Sequence, residues 1–267
     1  MNRRCCARRC ARSQAGIAAT CTAIPGIATA VAQPAAAAGT PVPCPLFLTA
    51  QAAAERGLDF IAVTEHNSVA HANAIRELQP YFDQLLLLPE RELTSFFGHG
   101  NFFGSVDPID FSVVGGGQKD WDTVPAELPK QRLFSINHPV RPSGETCTGC
   151  GWDTGIDMRH VQAIEAVKGA DADTPHSGIP FWQAQLQRGM HLTAIGGSYN
   201  QHADQADPNA AGAIGGPTTV VYSAELSQTA ILEAIRAGHV FVDVAGSPDR
   251  PAGADRARGR CAGDDGR

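Results

Sequence analysis

The chain has 267 residues, of which 43% are hydrophobic, and this is enough to bury the core of a single domain. The net charge of -6 argues against a nucleic-acid-binding surface, and no apolar run reaches the roughly 18 residues that a membrane-spanning helix needs. We therefore expect neither nucleic acid nor membrane as a partner, while composition leaves the oligomeric state open.

Residues 1–43 differ in composition from the rest of the chain. Arg and Cys crowd its start, and Ala, Thr and Pro then dominate without helical or strand periodicity. A secretory signal is one interpretation of this segment, because small residues follow a basic start and a weakly apolar middle. Pro25 and Gln33 interrupt that middle, so no convincing signal peptide is predicted and the compartment stays open.

Helices and strands alternate from residue 44 onward. The predicted elements are a helix at 49–56, a strand at 60–64, a helix at 69–81, strands at 85–89, 98–103, 133–137 and 161–167, a helix at 179–188, strands at 193–197 and 218–222, and a helix at 228–237. This alternation predicts an α/β fold with a parallel sheet or barrel. The apolar pattern ends after residue 250, so we predict one folded domain at 44–250 between disordered segments at 1–43 and 251–267.

Imidazole or carboxylate side chains follow four of the apolar segments. These four motifs are Thr64-Glu65-His66-Asn67, Glu92 to His99, Asn137-His138-Pro139 and Ser198 to His202. The carboxyl ends of parallel strands meet at one mouth of a barrel, so we expect these side chains to converge there. Carboxylate and imidazole are the ligands of hydrolytic zinc, manganese or iron sites, and the pattern therefore indicates a metal-dependent hydrolase.

Glu92 is the candidate for a carboxylate that bridges two ions about 3.5–4 Å apart. His99 and His138 then share one ion with Glu92, and His66 serves a neighbouring ion. Each residue has an alternative: a single loop histidine is more often a surface or capping residue, and Glu65 suits the N-terminus of the following helix. The recurrence of the pattern at four strand ends favours the metal interpretation.

Cys147 and Cys150 form one Cys-x-x-Cys pair in the body of the chain. This is half of a zinc-ribbon spacing, and no second such pair follows it. A local disulfide, or two free thiols in a loop, is therefore favoured over a metal knuckle.

The segments GLDFIAVTEHN, REL…GHGNFFG, SINHP and LTAIGGSYNQH resemble the polymerase and histidinol phosphatase (PHP) family. Within that family they are most similar to the CehA/McbA-type metallohydrolases, a branch that includes carbamate-ester hydrolases. The resemblance implies a distorted seven-stranded, TIM-like β/α barrel with a cluster of divalent metal ions at the C-terminal strand ends. It places metal ligands at His66, Glu92, His99 and His138, and catalysis at His66, Glu92 and His138.

Two elements of the family pattern are absent. The first strand normally carries a histidine motif of the form GDLHxHTxHSDG, and nothing like it precedes Cys44. The late motif Ser-Asp-x-His has Tyr199 in place of aspartate and Gln201 in place of histidine, with His202 as the nearest substitute ligand. A phenol with a pKa near ~10 is a poor replacement for a carboxylate. We therefore predict that the first strand is missing or degraded and that activity is impaired.

The genetic code offers an explanation for the first gap. Reading the codon families of Ala18 to Ala30 from each third base permits GDLHxHTxHSDG in order. Reading Pro251 to Arg256 from the second base permits Leu-Leu-Glu-Leu-Thr-Ala, a plausible strand, although these codons are less constrained. Single-base changes convert Asp to Tyr and His to Gln. The resulting hypothesis is a coding sequence that is frameshifted at both ends.

Three functions remain open on this sequence. The first is a metal-dependent hydrolase of a small-molecule ester, carbamate or phosphoester, with zinc, manganese or iron as cofactor. The second is a non-catalytic PHP remnant, a pseudoenzyme that binds metal weakly. The third is a PHP nuclease module, which needs a basic channel that the acidic composition does not favour.

Overall fold

The computed structural model describes most of the chain between residues 16 and 246. It covers 45–104, 121–126, 131–145, 147–152, 155–200 and 212–246, the single positions 106, 107, 109 and 129, and, as backbone alone, 16–23, 31–32 and 42–43. Gln201, His202 and the predicted tail at 251–267 lie outside these residues. Within the described part of the chain, no helix is long and apolar enough to cross a membrane.

Eleven strands and five α-helices make up the described chain. The strands are β1 Gly16–Ala23, β2 Val31–Ala32, β3 Val42–Pro43, β4 Phe60–His66, β5 Leu86–Ser95, β6 Gly98–Phe103, β7 Leu133–Ile136, β8 Ala163–Lys168, β9 Thr193–Gly197, β10 Thr218–Tyr222 and β11 Val240–Asp243. The helices are α1 Leu46–Glu55, α2 His71–Leu78, α3 Thr123–Ala126, α4 Ile179–Gln187 and α5 Gln228–Arg236, with 3-10 turns at Gln79–Tyr81, Met158–His160 and Asp171–Asp173.

Local sequence explains where two of these helices begin or end. Gly57 follows α1 with a φ of 66°, a left-handed conformation that glycine adopts without a steric penalty. Its N–H donates to the carbonyl of Ala54, and this bond satisfies a free carbonyl of the last turn. At the start of α5 the Ser227 hydroxyl accepts from the N–H of Ala230, as an N-cap serine does.

Nine of the strands form one mixed sheet in the order β11-β10-β1-β4-β5-β6-β7-β8-β9. The pairs β1–β4, β4–β5, β7–β8 and β8–β9 are parallel, whereas β6 and β10 run antiparallel to both of their neighbours. The carboxyl ends of β4, β7, β8 and β9 therefore lie at one edge of the sheet. The first residues of β6 lie at the same edge because its direction is reversed.

The sheet is curled, so that strands from its two ends approach one another. Gly196 on β9 is bridged to Thr219 on β10, whose hydroxyl accepts from the Gly196 N–H at 2.9 Å and donates to its carbonyl at 2.8 Å. A Cβ on Gly196 would lie 2.8 Å from Val242 on β11, too close for any larger residue. The sheet is therefore an incompletely closed barrel in which a glycine permits the close approach of the edges.

Alternate residues of β4 face opposite sides of the sheet, as expected for a strand. Phe60 and Ala62 belong to the cluster that packs against α5, which includes Ile231. Ile61 and Val63 belong to a second cluster on the side of α1. The first cluster fills the inside of the curled sheet below the site, so helix α5 closes one end of the barrel.

Two predictions about the sheet need correction. The first barrel strand, predicted to be missing, is present as backbone: β1 lies between β10 and β4 and pairs with both. Because a ladder is built from backbone groups, a strand can occupy this place without the family's histidine motif. The described sheet has nine strands rather than the predicted seven. The mixed α/β class and the barrel-like curvature are confirmed.

Strand β5 is longer than predicted, and this moves a candidate ligand into regular structure. The predicted strand ended at Pro89, whereas β5 continues to Ser95. It pairs with β4 as far as His66↔Glu92 and with β6 as far as Ser95↔Gly98, so both partners extend the ladder. Glu92 therefore lies on a strand paired on both sides, which fixes its direction more firmly than a loop does.

Candidate metal centre

Four of the five predicted ligands converge at one edge of the sheet. His66 ends β4, and Glu92 is its direct partner on β5. His99 is the second residue of the antiparallel β6, and His138 follows the end of β7 by two residues. His202, the fifth predicted ligand, lies outside the described residues.

Backbone conformation is unusual at this edge. Among the described residues, the non-glycine positions with positive φ are Asn67 at 50°, His138 at 29° and Tyr199 at 52°. Each follows the carboxyl end of a strand of the sheet, namely β4, β7 and β9. Such conformations are costly for residues with a Cβ and concentrate at functional sites. The distribution supports a site at this edge, independently of the identity of the side chains.

The carboxylate of Glu92 lies between two groups of imidazoles. Its Oε1 is 3.3 Å from His99 Nδ1 and 3.9 Å from His138 Nε2. Its Oε2 is 3.8 Å from His66 Nδ1, on the other side. Donors arranged around one ion at about 2.1 Å in a tetrahedron lie about 3.4 Å apart, so the Oε1 group has the dimensions of a metal site.

The ring nitrogens of His99 and His138 that face Glu92 also face each other, at 3.0 Å. His99 uses its other nitrogen, Nε2, to donate to the carbonyl of Thr148 at 3.0 Å. His138 uses Nδ1 to donate to Glu165 Oε2 at 3.1 Å. In neutral rings the facing nitrogens are therefore both lone-pair donors, and a cation between them resolves their mutual repulsion.

Glu92 has no hydrogen-bond partner among the described residues, although it is completely buried and both of its oxygens are acceptors. The nearby His99 Nδ1 lacks the geometry of a hydrogen bond. Burial raises the pKa of Glu92, but His99, His66 and His138 outweigh this effect and lower that pKa to about 2. A buried, ionised carboxylate without a hydrogen bond requires a cation. The residues present thus fit a divalent metal ion.

Glu165 was not predicted as a site residue, and the structure places it behind His138. Its Oε2 accepts from the His138 backbone N–H at 2.7 Å as well as from the ring. A carboxylate that holds the second nitrogen of a metal-binding histidine is a recurrent feature of such sites. The available signal was a single acid in the apolar strand β8, where an unpaired charge is rare.

His66 is held by the strand beside it. Its Nδ1 is hydrogen-bonded to the hydroxyl of Thr94, and Asn67 bonds the Thr94 backbone through both its amide oxygen and its amide nitrogen, each at 2.9 Å. The His66 ring centroid is 6.5 Å from that of His99. His66 is therefore near Glu92 but separate from the His99–His138 pair.

Lys168 and Tyr199 form the far wall of the site. The Lys168 ammonium lies 3.5 Å above the centroid of the Tyr199 ring, and that ring meets His138 edge-on with centroids 5.8 Å apart. Lys168 is 7% exposed, and burial is the main cause that lowers its pKa. Tyr199 therefore contacts a cation here, which agrees poorly with a role as an anionic ligand.

The three cations that flank the motifs differ in direction. Arg91 lies between Glu90 and Glu92 on β5 and so faces the opposite side, where it donates to the Asp107 carbonyl at 2.7 Å. Arg141 lies 3.7 Å from Asp171. Of the cations near the motifs, Lys168 is the one that contacts a ring of the site.

The predicted local disulfide joins Cys147 and Cys150. The loop that it closes lies on His99, through the Thr148 carbonyl. Gly149 has a φ of 80°, and a Cβ there would lie 1.9 Å from the Ser95 carbonyl oxygen. The glycine therefore allows this loop to rest directly on the turn between β5 and β6.

The fold is similar to that of two solved structures. One is a two-domain protein from Bacteroides vulgatus that contains a predicted PHP-like metal-dependent phosphoesterase, with a TM-score of 0.56 and 20% identity over 85% of this chain. This chain spans 65% of that protein. The other is PsfC from Pseudomonas syringae, with a TM-score of 0.56 and 14% identity, covering 91% of this chain and 95% of PsfC.

The sequence itself finds no counterpart: no family model matches it, and no curated protein matches it. The likeness to the Bacteroides vulgatus protein is therefore one of fold. It agrees with the fold that the sequence motifs implied. Chemistry has to be argued from the residues of the site.

Proposed function

We propose that the protein is a metal-dependent hydrolase of a small-molecule phosphoester or of a carboxylic or carbamate ester, of the PHP type. One observation carries this proposal: the buried carboxylate of Glu92 has no hydrogen-bond partner among the described residues, and two histidine lone pairs converge on it. This arrangement is unfavourable in a protein without a cation. It is favourable around a divalent ion.

Glu92, His99 and His138 would hold the ion, and His66 would hold a second ion on the Oε2 side of Glu92. A mixed set of carboxylate and imidazole suits zinc, manganese or iron. The bound ion supplies Lewis acidity, which lowers the pKa of water and polarises a phosphoryl or acyl oxygen. Catalytic roles accordingly remain with His66, Glu92 and His138, and His202 is a further ligand only if its loop approaches them.

The protein's own residues prepare this site in two ways. Glu165 holds His138 in the tautomer whose Nε2 carries a lone pair toward Glu92. Lys168 places a buried positive charge beside the same histidine, and this charge attracts an anionic group on a substrate. The buried ammonium favours a phosphoester over a neutral ester.

The family branch and the frameshift belong to the same proposal. Strand β1 lies beside β4 in parallel, with Thr20 opposite Ile61, where a histidine-bearing first strand would face the site. In the shifted reading the first histidine falls at the junction of Cys21 and Thr22, inside β1. This position supports a CehA/McbA-type ancestor whose coding sequence has shifted frame. Resequencing codons 16–44 and 250–267 tests it, and bases that confirm the printed residues overturn an error of reading.

A pseudoenzyme is the second candidate, and one observation favours it. The printed β1, Gly16–Ala23, contains no carboxylate and no imidazole, so this strand adds no ligand of the usual kind. A site that lacks these ligands holds fewer ions and binds them more weakly. Bound metal without turnover would distinguish this candidate from an impaired enzyme.

The test uses the full chain, stripped of metal and reloaded in turn with zinc, manganese and iron. Metal content is measured after dialysis, and hydrolysis is followed with chromogenic phosphomonoester, phosphodiester and carboxylic ester substrates. The proposal expects at least one bound ion per chain and a metal-dependent rate with a phosphoester. No bound metal under any condition overturns it, and bound metal without hydrolysis of any substrate supports the pseudoenzyme instead.

A further inference from the structure

We propose that Cys147 and Cys150, when reduced, are a second pair of ligands for the ion that His99 and His138 bind. The disulfide between them would then act as a redox switch on the metal centre. This inference rests on the proposed metal centre and deepens it. The ligand is a divalent ion with an affinity for thiolates, such as zinc.

The positions of the four side chains carry the inference. The ring nitrogens of His99 and His138 and the sulfurs of Cys147 and Cys150 all lie within 4.8 Å of one another, and all four residues are buried. Bonds of about 2.3 Å to sulfur and 2.0 Å to nitrogen separate tetrahedral donors by about 3.3–3.8 Å. A contraction of about 1 Å therefore converts this group into a Cys2His2 site.

The cysteine loop is held against the histidines at several points. Thr148 accepts from His99 Nε2, and Gly149 N–H donates to Ser143 Oγ at 2.8 Å. On the other side of the loop, Trp152 Nε1 donates to the backbone carbonyl of His99 at 3.1 Å. These bonds keep the two sulfurs next to the histidine pair in whichever redox state the loop is found.

The two sets of ligands have opposite consequences for catalysis. Glu92 with His99 and His138 provides three protein ligands, and such sites keep a position open for substrate. Two imidazoles with two thiolates form a closed, four-coordinate site of the structural kind. Since both sets share the same histidines, reduction would close the site and oxidation would open it.

The redox step balances with a dithiol reductant. Two electrons and two protons pass from the dithiol to the bond between Cys147 Sγ and Cys150 Sγ, which breaks, and the reductant becomes a disulfide. Each cysteine thiol then loses its proton when its sulfur binds the ion. Oxidised sulfurs carry no negative charge, so the disulfide form offers the ion only weak donors.

The experiment uses Co²⁺ as the probe, in the full chain, with and without a dithiol. A cobalt–thiolate bond gives an intense near-ultraviolet charge-transfer absorption, whereas carboxylate and imidazole ligands give only weak visible bands. We expect the charge-transfer band in the reduced wild type, and its loss in the oxidised wild type and in the Cys147→Ser/Cys150→Ser double variant. Cys261→Ser, which removes a cysteine elsewhere in the chain, is the matched control and keeps the band.

The outcomes separate this inference from the proposed function. Co²⁺ that binds the reduced wild type without the charge-transfer band overturns the thiolate ligands and leaves the metal centre intact. No bound Co²⁺ in any form overturns both proposals. Glu92→Gln provides a further separation, because the variant should keep the reduced-state band while the oxidised form loses its metal. Where hydrolysis is measurable, the dithiol should slow the wild type and leave the rate of the double variant unresponsive.

Discussion

His99 Nδ1 and His138 Nε2 face each other at 3.0 Å, and each ring donates its remaining N–H to a fixed oxygen, of Thr148 and Glu165 respectively. Two neutral imidazoles in this orientation present lone pairs to one another, with the buried Glu92 carboxylate beside them. The geometry is that of ligands around a cation, and it leads to predictions that can be tested one residue at a time.

Glu92→Gln should abolish tight binding of a divalent ion, because an amide provides neither the negative charge nor a second acceptor. In the wild type, an ion at a hundred times its Kd should raise the free energy of unfolding by about 2.7 kcal/mol. The variant should show none of this increase in a denaturant titration. Glu77→Gln, at an exposed position, is the control and should respond to the ion as the wild type does. An equal response of Glu92→Gln would contradict the assignment.

Glu165→Gln should weaken metal affinity by about 10–100-fold, since the variant no longer holds His138 with a charged acceptor. Glu165 is a positioning residue, so the bound ion should keep its ligands once its concentration is raised. Isothermal titration gives the affinity, and the visible spectrum of bound Co²⁺ reports the ligand geometry. Glu233→Gln is an exposed control. Unchanged affinity in Glu165→Gln would show that the contact is structural alone.

Lys168 should make the binding of an anionic substrate depend on pH. Burial, the largest cause, lowers the pKa of this lysine below its ordinary 10.5, and Arg141 lowers it further. The ammonium is present below the lowered pKa and is lost as pH rises through it, so KM should increase at a pH below 10.5. Lys168→Met should raise KM at neutral pH and flatten the profile.

Lys168→Arg is the matched variant for this test, because a guanidinium keeps its charge across the same range. It should hold KM nearly constant where the wild-type KM rises. A wild-type KM that stays flat up to pH 10.5 would remove the lysine from substrate binding.

Gly149→Ala should destabilise the protein by more than about 1 kcal/mol. The added Cβ would lie 1.9 Å from the Ser95 carbonyl oxygen, and the backbone has a φ of 80°. The loop must shift, so the contact between Thr148 and His99 should weaken and metal affinity should fall as well. Gly155→Ala is the control, since a Cβ there meets nothing within 4 Å. Equal unfolding midpoints for the two variants would show that the loop is not packed as described.

Ile231→Ala should lower the free energy of unfolding by about 2–5 kcal/mol, because Ile231 is fully buried where α5 fills the barrel. The neighbouring exposed position supplies the control, Thr229→Ala, which should stay within about 0.5 kcal/mol of the wild type. Chemical denaturation measures both. A small effect at Ile231 would mean that α5 does not close the barrel.

Much of the site was legible in the sequence because each ligand stands beside its own structural signal. His66 ends a buried strand, and His138 follows another, so their place at the carboxyl edge follows from local pattern. Glu165 was not predicted, because a strand pattern gives the face of an acid and not its partner. Its bond to His138 joins residues 27 positions apart.

The sequence by itself determined the alternation of helices and strands, the strand ends and the chemical types gathered there, because these depend on neighbours along the chain. Only the tertiary structure decided that β1 fills the first place in the barrel, that Arg91 faces away from the site and that Cys147 and Cys150 lie over His99 and His138. Those relationships depend on strand register and on the curl of the sheet. Both are set by contacts between distant segments, on which local periodicity carries no information.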